Sequence, residues 1–269
     1  MKLRLFALLV LLSFPVTAFA WGGEGHQIVG LIAEERLTPA AKAGIHDLLG
    51  DANISDAEIA NWADNVRRER SETGPWHYVD IPTDAPAYDK QRDGQQGNNV
   101  IDKINDFAKV LANKNASKAE RADALKFLVH FVGDLHQPLH CAERNHDKGG
   151  NARLVFFLDA PMATNLHSVW DMSILLNRMG ETPVLKYALA LNAKIRTAQA
   201  KEWSKGTSEQ WANEGHDLAV KIVYAGVPVD GPPPKLDQVY VDRAADVVDQ
   251  QLEKAGVRLA MVLNQCFQK

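Results

Sequence analysis

Residues 127–140 read FLVHFVGDLHQPLH, and this stretch decides both the fold and the chemistry of the chain. Its apolar residues keep helical spacing, so His130 and Asp134, four positions apart, present their side chains on one face of a helix. Pro138 cannot continue a helix, and we expect the helix to end just after Asp134. His140 can then turn back from the following loop toward the same point. Imidazole and carboxylate groups at this spacing are typical metal ligands.

A second pair with the same spacing, His167 and Asp171, lies in residues 165–171, NLHSVWD. One such pair is more often a solvated helix face or a hydrogen-bonded core pair. Two pairs predict two helices that face each other across a metal site, as in the cores of metal-binding bundles. Three shorter motifs add candidate ligands, namely His26 in WGGEGH (21–26), Asp64 in NWADNVR (61–67) and His77 in WHYVD (76–80).

The first twenty residues have the features of an export signal. Lys2 and Arg4 give a positive start, residues 5–12 form a short apolar core, and residues 18–20, AFA, form a cleavage site with small residues. An uncleaved membrane anchor is the alternative, but the apolar stretch is shorter than the roughly 20 residues that a bilayer span requires. We therefore expect cleavage before Trp21, a secreted or periplasmic protein, and no membrane contact.

Past residue 20 the pattern is helical almost throughout, with apolar residues at helical spacing in stretches such as 28–32 and 244–252. The main exception is residues 152–159, where the run LVFFL after two glycines predicts a strand, half of a small β-hairpin. Turn-rich stretches separate the helices without a shift in composition. We therefore expect residues 21–269 to form one mainly α domain, a helical bundle with a small β-hairpin.

Charge and cysteine content exclude several classes of protein. The 30 basic and 34 acidic residues give a net charge of −4, which removes the broad basic surface of a non-specific duplex-binding protein. The two cysteines cannot build a thiolate zinc site by themselves, so a metal site would use histidine and carboxylate ligands. In an oxidising compartment we expect one disulfide, joining Cys141 to Cys266.

The ordered set of motifs resembles the zinc-dependent type I nuclease and 3′-nucleotidase family, the single-strand-specific nucleases of the mung bean nuclease kind. The motifs run in the order Trp21 with His26, WAD (62–64) with Arg67, WHYVD (76–80), HxxxDxHQPLH (130–140), GGN (149–151) and NLHxxWD (165–171). The resemblance covers most of the chain after residue 20 and implies an all-helical fold with three zinc ions in a deep cleft. The family is also similar in fold to the bacterial zinc-dependent phospholipases C, which have a glutamate where this chain has Asp171.

The resemblance further implies the ligands of a trinuclear zinc site. The first ion would bind Asp64, His77, His130 and Asp134; the second His140, His167 and Asp171; and the third Asp134, His26 and the backbone amine and carbonyl of Trp21. Ligand sets short of saturation leave positions for water and substrate, whereas a structural zinc is closed. Asp64 and Asp134 are therefore also candidate catalytic residues, and Asp134 bridges two ions.

Three residues near the first ligands are candidates for substrate binding. Arg67, one turn beyond Asp64, can bind a phosphate oxygen, although an exposed ion pair would also explain it. Tyr78 can stack on a base, and Asp80 can accept hydrogen bonds from the edge of that base. The alternative for these two is a core tyrosine next to a helix-capping aspartate.

Lys148 and Asn151 are candidates for the lining of the cleft, and a turn built on the two glycines between them explains the pair equally well. We expect His136 to orient a ligand carboxylate or the loop that follows it. The remaining histidines, His46, His146 and His216, have no partner motif and are predicted to lie at the surface.

The leading hypothesis is an exported, zinc-dependent phosphodiesterase that acts as a monomer. It would hydrolyse single-stranded DNA and RNA to 5′-phosphate products and remove 3′-phosphates from nucleotides. A zinc-dependent phospholipase C is the enzymatic alternative, and Asp171 in place of glutamate, together with Tyr78 and Asp80, counts against it. A zinc-binding carrier without catalysis is the alternative from another class; it predicts a mobile histidine-rich tract, which the sequence lacks.

Overall fold

The computed structural model describes residues 21–268, so the expected export signal at residues 1–20 lies outside the described residues. The helices are α1 (Gly22–Glu34), α2 (Pro39–Leu49), α3 (Ala57–Ala60), α4 (Trp62–Glu69), α5 (Lys90–Asp93), α6 (Val100–Ala112), α7 (Lys118–Asp134), α8 (Leu166–Ser168), α9 (Ile174–Met179), α10 (Val184–Lys194), α11 (Thr197–Trp203), α12 (Ser208–Leu218) and α13 (Gln238–Cys266). Short 3₁₀ turns span Ser71–His77, Gln95–Gly97 and Pro138–Cys141, and π-helical turns span Val169–Ser173 and Ala219–Val223. The prediction of a mainly α fold is confirmed. In the part of the chain that the structure describes, no helix combines the length and apolarity needed to cross a membrane.

Three short strands form one small sheet beside the helices. β1 (Leu154–Phe157) lies in the middle, with β2 (Thr164–Asn165) antiparallel on one side and β3 (Lys235–Leu236) parallel on the other. Leu154 stands opposite Asn165 in the antiparallel pair, which is the predicted hairpin. The parallel partner was not predicted, because a strand of two residues shows no alternating pattern in the sequence.

The longest helix, α13, supports the core along its length. It spans 29 residues, and the side chain of Asp237 caps its first turn by accepting the N–H of Tyr240. It packs against α1, α6, α7 and α9. A Cβ atom at Gly256 would lie 2.4 Å from Cγ2 of Ile32, so only glycine allows the two helices to approach this closely. This contact fixes α1, the helix that carries His26, against the rest of the core.

The helix α7 ends where the sequence predicts. At its start Ser117 and Glu120 form a capping box, in which the N–H of each residue donates to the side chain of the other. Almost every residue from Ala124 onward is buried, so the helix is surrounded by other elements. It ends at Asp134, and a separate 3₁₀ turn begins at Pro138. The buried second half of α7 is thus the element around which the ligands gather.

The expected disulfide is wrong. Cys141, in the 3₁₀ turn after α7, and Cys266, at the end of α13, are both free thiols. The Sγ of Cys141 donates to the carbonyl of Leu135 at 3.3 Å, and that of Cys266 donates to the carbonyl of Ala108 at 3.5 Å. Each sulfur is held by the backbone of its own surroundings. A cysteine count indicates only that a pair is available, whereas a disulfide requires a short distance between the two Cβ atoms.

We predict that the unfolded protein exposes two reactive thiols per chain without prior reduction. Burial raises the pKa of both thiols, to about 11 for Cys266, so both should react slowly with a thiol reagent in the native state. A reductant should leave the unfolding temperature unchanged. Fewer than two thiols in the unreduced, unfolded protein, or a lower unfolding temperature after reduction, would show that the disulfide exists.

Candidate metal centre and cavity

Eight predicted ligand side chains meet at one buried place, although they come from distant parts of the chain. They are His26 from α1, Asp64 from α4, His77 from the end of its 3₁₀ turn, His130 and Asp134 from α7, His140 from the turn Pro138–Cys141, His167 from α8 and Asp171 from the π-helical turn Val169–Ser173. None of the eight residues is more than 7% exposed. So many polar groups away from water carry a large desolvation cost unless partners compensate them.

The ligand atoms of these residues fall into three groups, and within each group the atoms lie no more than 4.8 Å apart. The groups are His26 with Asp64 and His130; His77 with His130 and Asp134; and His140 with His167 and Asp171. The third group is the predicted ligand set of the second ion. The first two groups share His130 and together contain the four predicted ligands of the first ion, with His26 added.

The carboxylate of Asp134 lies between these groups. Its Oδ2 is 2.9 Å from Nδ1 of His77 and 3.5 Å from Nε2 of His130. Its Oδ1 is 3.4 Å from Nε2 of His26 and 3.8 Å from Nδ1 of His140. One carboxylate therefore faces four imidazole rings, and its two oxygens point in different directions. This is the arrangement that a bridging ligand requires.

Two of the three buried aspartates of the cluster, Asp134 and Asp171, have opposite pKa shifts. Burial by itself would raise the pKa of Asp134, but the neighbouring imidazoles of His130, His26 and His77 outweigh it and hold this pKa well below its usual range. Burial raises the pKa of Asp171 well above its usual range, and the nearby charge of Asp134 adds to that shift. Without a cation, the protonated form of Asp171 is thus favoured over a wider pH range than is usual for an aspartate. A bound cation would displace that proton.

Three histidines of the cluster are held through Nδ1, which leaves Nε2 free to bind a metal. Nδ1 of His130 lies 2.8 Å from the carbonyl of Ala60, Nδ1 of His140 lies 2.8 Å from the carbonyl of His77, and Nδ1 of His167 lies 2.7 Å from the carbonyl of Gly149. Each carbonyl accepts the Nδ1–H and leaves a lone pair on Nε2. Burial lowers the pKa of His140 to about 3, so its ring is neutral at pH 7 and can bind a metal.

Several buried nitrogen and oxygen atoms of the ligand residues have no hydrogen-bond partner within the described residues. They are Nε2 of His26, His77, His130 and His140, Oδ1 of Asp64 and Asp134, and Oδ2 of Asp171. Buried polar atoms are rarely left unpaired in a folded protein, because each one costs about 1–3 kcal/mol. Nitrogen and carboxylate oxygen donors that converge in this way fit divalent transition metals such as zinc.

A cavity of about 450 Å³ opens next to the cluster. Its walls contain His77, His140 and His167 together with the predicted substrate residues Arg67, Tyr78, Asp80, Lys148 and Asn151, and also Glu143. Both sets of predicted residues therefore meet at one opening. The ligand cluster is accessible from this side, which a closed structural metal site would not be.

Comparison with known proteins identifies the family. Residues 21–268 match the family described as S1/P1 Nuclease. The chain belongs to the S1/P1 nuclease family. It is 33% identical to Endonuclease 2 of Arabidopsis thaliana over 271 residues, which cover 92% of this chain and 90% of that protein. It is 30% identical to Nuclease P1 of Penicillium citrinum over 268 residues, covering 91% and 97%, and 29% identical to Nuclease S1 of Aspergillus oryzae over 274 residues, covering 94% of each. The resemblance to type I nucleases is confirmed.

Arg67 lies at the edge of the cavity of this S1/P1 nuclease. It is three residues beyond Asp64 on α4, and its Nη2 is 3.9 Å from Oδ1 of that aspartate. Its side chain is 28% exposed, so the guanidinium borders both the buried cluster and the open cavity. The guanidinium thus pairs with a buried ligand residue rather than with an exposed carboxylate, and it also lines the cavity. Its neighbour Arg68 is exposed and does not line the cavity.

Part of the cavity wall is acidic, with Asp80 and Glu143. Burial, followed by the charges of Glu143 and Asp147, raises the pKa of Asp80 to about 7. Burial also raises the pKa of Tyr78. Near neutral pH Asp80 can therefore accept a hydrogen bond when ionised and donate one when protonated. Glu143 also reaches this wall, because its backbone pairs with residues 81–83. The sequence did not predict its position, since no short motif around Glu143 indicates that pairing.

Lys148 and Asn151 belong to a tight loop whose backbone serves the cluster. Lys148, Gly149 and Gly150 all have positive φ angles, and a Cβ atom at Gly149 would lie 2.6 Å from the carbonyl of Leu139. The Nδ2 of Asn151 donates to the carbonyl of Lys148, so the loop holds itself together. Since the carbonyl of Gly149 holds His167, this loop has a structural role even though both polar residues line the cavity.

Trp21 anchors the beginning of α1 next to the cluster. Its side chain is fully buried, and its Nε1 donates to the carbonyl of Gly133 at 2.7 Å. Its own carbonyl accepts the N–H of Gly25 at 3.1 Å, and its φ of 45° lies in the left-handed region. The first residue of the expected mature chain is therefore tied to the residue before Asp134.

The surface prediction for His216 is wrong. His216 is 3% exposed, because its Nε2 contacts the carbonyl of Pro82 at 3.0 Å. His136 is fully buried and has no hydrogen bond or ion pair with a ligand carboxylate; its ring contacts the carbonyl of Val132 and Arg258, which leaves the second predicted role, orienting the loop. His46 and His146 are exposed as predicted. The residue that does contact a ligand carboxylate is Gln137, whose Nε2 donates to Oδ1 of Asp171 at 2.6 Å.

We predict that Gly133→Ala removes His26 from the cluster. A Cβ atom at position 133 would lie 2.7 Å from Nδ1 of His26, whose ring stacks on that of His130 with a centroid distance of 3.8 Å. The ring has to move away from Asp134. Metal analysis of the purified variant should show about one ion fewer per chain than the wild type.

The control is Gly44→Ala in α2, where the added methyl group meets the ring of Phe267 near the end of the chain. It tests the general effect of alanine at a crowded helix position. An unchanged metal content in Gly133→Ala would contradict a ligand role for His26.

Proposed function

We propose that this S1/P1 nuclease is a zinc-dependent phosphodiesterase that hydrolyses single-stranded DNA and RNA to 5′-phosphate products and removes 3′-phosphates from nucleotides. The observation that carries the proposal is the convergence of unpartnered, buried imidazole and carboxylate atoms beside a cavity that Arg67, Tyr78 and Asp80 also line. The family and the names of the relatives supply the reaction class.

The sequence resemblance suggests how the ligand set would divide among the ions. Asp64, His77, His130 and Asp134 would hold one zinc ion, His140, His167 and Asp171 a second, and Asp134, His26 and the backbone of Trp21 a third. Bound zinc ions supply an acidified water for attack on phosphorus and Lewis-acid stabilisation of the developing charge. Burial lowers the pKa of His26, His140 and His167, which favours their neutral, metal-binding form, and the cluster positions the carboxylates. This is what the chain itself contributes to that chemistry.

Arg67 would bind the phosphate that is cleaved. A guanidinium at the edge of the cluster can donate two parallel hydrogen bonds to phosphate oxygens. Those bonds strengthen as negative charge grows in the transition state, so they lower the barrier more than they tighten ground-state binding.

Tyr78 and Asp80 would hold the adjacent base. The aromatic ring of Tyr78 offers a stacking surface that suits any base, and the carboxyl group of Asp80 would form hydrogen bonds with the polar edge of that base. A base must leave a duplex to reach this wall, so the proposal favours single strands. Lys148 and Asn151, at the rim of the same cavity, would contact the sugar-phosphate backbone.

Two alternatives are less well supported. A phospholipase C would place a lipid headgroup in the same cavity, but the chain has Asp171 where those enzymes have glutamate, and its relatives carry nuclease names. A zinc carrier without catalysis would not require an arginine and an aromatic side chain in the cavity beside the metal ligands.

We also propose that the protein is exported as a monomer and that residues 1–20 are removed on the way. The positive start, the apolar core and the AFA site support removal before Trp21. The new α-amine would then be available as a ligand, next to the helix that carries His26.

We predict that the purified protein hydrolyses single-stranded DNA at least tenfold faster than duplex DNA, since a base must be unstacked to reach Tyr78. A chelator should abolish both activities, and zinc should restore them. Equal rates on the two substrates would contradict the base-stacking wall. Release of phosphocholine from phosphatidylcholine without nuclease activity would favour a phospholipase C, and tight zinc binding without either activity would favour a carrier.

We predict that Arg67→Ala lowers kcat/KM for single-stranded DNA by about 10²- to 10³-fold, the usual effect of removing a group that stabilises transition-state charge. Most of the loss should be in kcat. Arg68→Ala is the matched control, because the same change at the exposed neighbour should alter the rate less than twofold. Similar losses in both variants would indicate general electrostatic attraction rather than a specific contact.

We predict that one extra methionine before Trp21 impairs the mature protein. The added residue moves the free amine about 3.8 Å along the chain and puts an amide in its place, and an amide nitrogen is a poor zinc ligand. Metal analysis should find one weakly bound ion, and turnover should fall more than substrate affinity. Three tightly bound ions and full activity in the extended protein would show that Trp21 is only a packing residue.

A further inference from the structure

The turn between α7 and His140 connects two of the ligand groups. Asp134 is the last residue of α7, and His140 follows six residues later in the turn Pro138–Cys141. The position of this turn therefore sets the spacing between the group that contains Asp134 and the group that contains His140. The residues that hold the turn therefore help to position the ligands.

The fixed point of the turn is His136, which is fully buried. Its Nδ1 lies 2.7 Å from the carbonyl of Val132, its Nε2 lies 2.9 Å from Nη1 of Arg258, and its main-chain carbonyl accepts Nε2 of Gln251 at 3.1 Å. An arginine nitrogen can only donate, so Nε2 of His136 is the acceptor and Nδ1 is the donor. Three hydrogen bonds thus hold one residue of the turn.

Two of those bonds come from α13. Gln251 and Arg258 are seven positions apart, which places them two turns apart on the same face of the helix. Arg258 is 3% exposed; its Nε donates to the carbonyl of Trp203, and its Nη2 donates to Glu214 at 2.7 Å. Every nitrogen of this guanidinium has a partner, so Arg258 is a rigid support for His136.

The next residue transmits the position of the turn to a ligand. Gln137 donates from Nε2 to Oδ1 of Asp171 at 2.6 Å, and its Oε1 accepts the N–H of Leu139 at 2.6 Å. A displacement of the turn therefore displaces both Asp171 and His140. By contrast, His130 is held within α7 and by the carbonyl of Ala60, at a distance from the turn.

We propose that Arg258 and Gln251 are positioning residues for the ligand group His140, His167 and Asp171, which they hold in place through His136. Neither residue has a hydrogen bond or ion pair with a ligand side chain in the described structure. The inference rests on the metal-binding role proposed above. It adds that the affinity of one particular ion depends on α13, a helix that contributes no ligand.

The effect should be selective. Loss of a residue that orients a ligand usually weakens metal binding by 10- to 100-fold. We expect that loss for the ion at His140, His167 and Asp171, whereas the ion at Asp64, His77, His130 and Asp134 should keep its affinity. A purely structural role for α13 would instead destabilise the whole protein and weaken all ions together.

The test uses Arg258→Met and Gln251→Leu, which remove the donors and keep similar side-chain volume. The zinc-loaded proteins are equilibrated with increasing chelator concentrations, and the ions retained per chain are counted at each step. In both variants one ion should leave at a chelator activity about 10- to 100-fold lower than in the wild type, while the others leave at wild-type values. The unfolding temperature of the metal-free proteins is measured in parallel.

The matched control is Glu214→Gln. It weakens the ion pairs of Glu214 with Arg258 and Lys254 but leaves Nη1 of Arg258 in contact with His136. It should lower the unfolding temperature without changing the release of any ion. If Arg258→Met does not fold, Gln251→Leu decides the question.

Wild-type release of every ion from Gln251→Leu, or parallel weakening of all ions in the variants, would overturn the inference. A wild-type protein that binds no zinc would instead overturn the proposed function.

Discussion

The structure depends on one buried negative charge, the carboxylate of Asp134. The imidazole rings that surround this carboxylate do not all form hydrogen bonds with it. Four histidine nitrogens lie within 3.8 Å of its oxygens, yet Oδ1 has no hydrogen-bond partner among the described residues. An ionised carboxylate in a dry interior is unfavourable unless positive charge offsets it. Bound cations would supply that charge. The fold is then a scaffold that brings α1 and the two 3₁₀ turns that carry His77 and His140 to Asp134 at the end of α7.

The surrounding elements explain how such a costly cluster is held. Backbone carbonyls of Ala60, His77 and Gly149 orient three histidine rings, and each carbonyl belongs to a segment that packs against the core. Two glycines are also required for this packing. Gly149 adopts a left-handed backbone conformation, and Gly133 leaves space for the ring of His26. Functional chemistry and packing are therefore not separable here, because the same backbone atoms serve both.

The sequence predicted the parts of the site that depend on short-range geometry. His130 and Asp134 share a helix face, Pro138 ends α7, and the hairpin leads into α8, all of which follow from spacing and turn residues. Short motifs singled out His26 and Asp64 as candidate ligands, and the family resemblance put them at the same site, a proximity that no local pattern reveals. The failures concern contacts between distant segments: the pairing of Cys141 with Cys266, the burial of His216 and the position of Glu143 in the cavity wall. Each depends on how two elements pack against each other, and the sequence of either element alone does not determine that packing.

The most direct measurement is the anomalous diffraction of crystals of the protein beginning at Trp21, recorded on both sides of the zinc absorption edge. We predict three zinc peaks. One should lie against Asp64, His77, His130 and Asp134, one against His140, His167 and Asp171, and one against His26 and the amine of Trp21, with Asp134 touching two of them. A single zinc closed by four protein ligands, or no zinc at the cluster of a protein that still cleaves single-stranded DNA, would contradict the catalytic role of these residues.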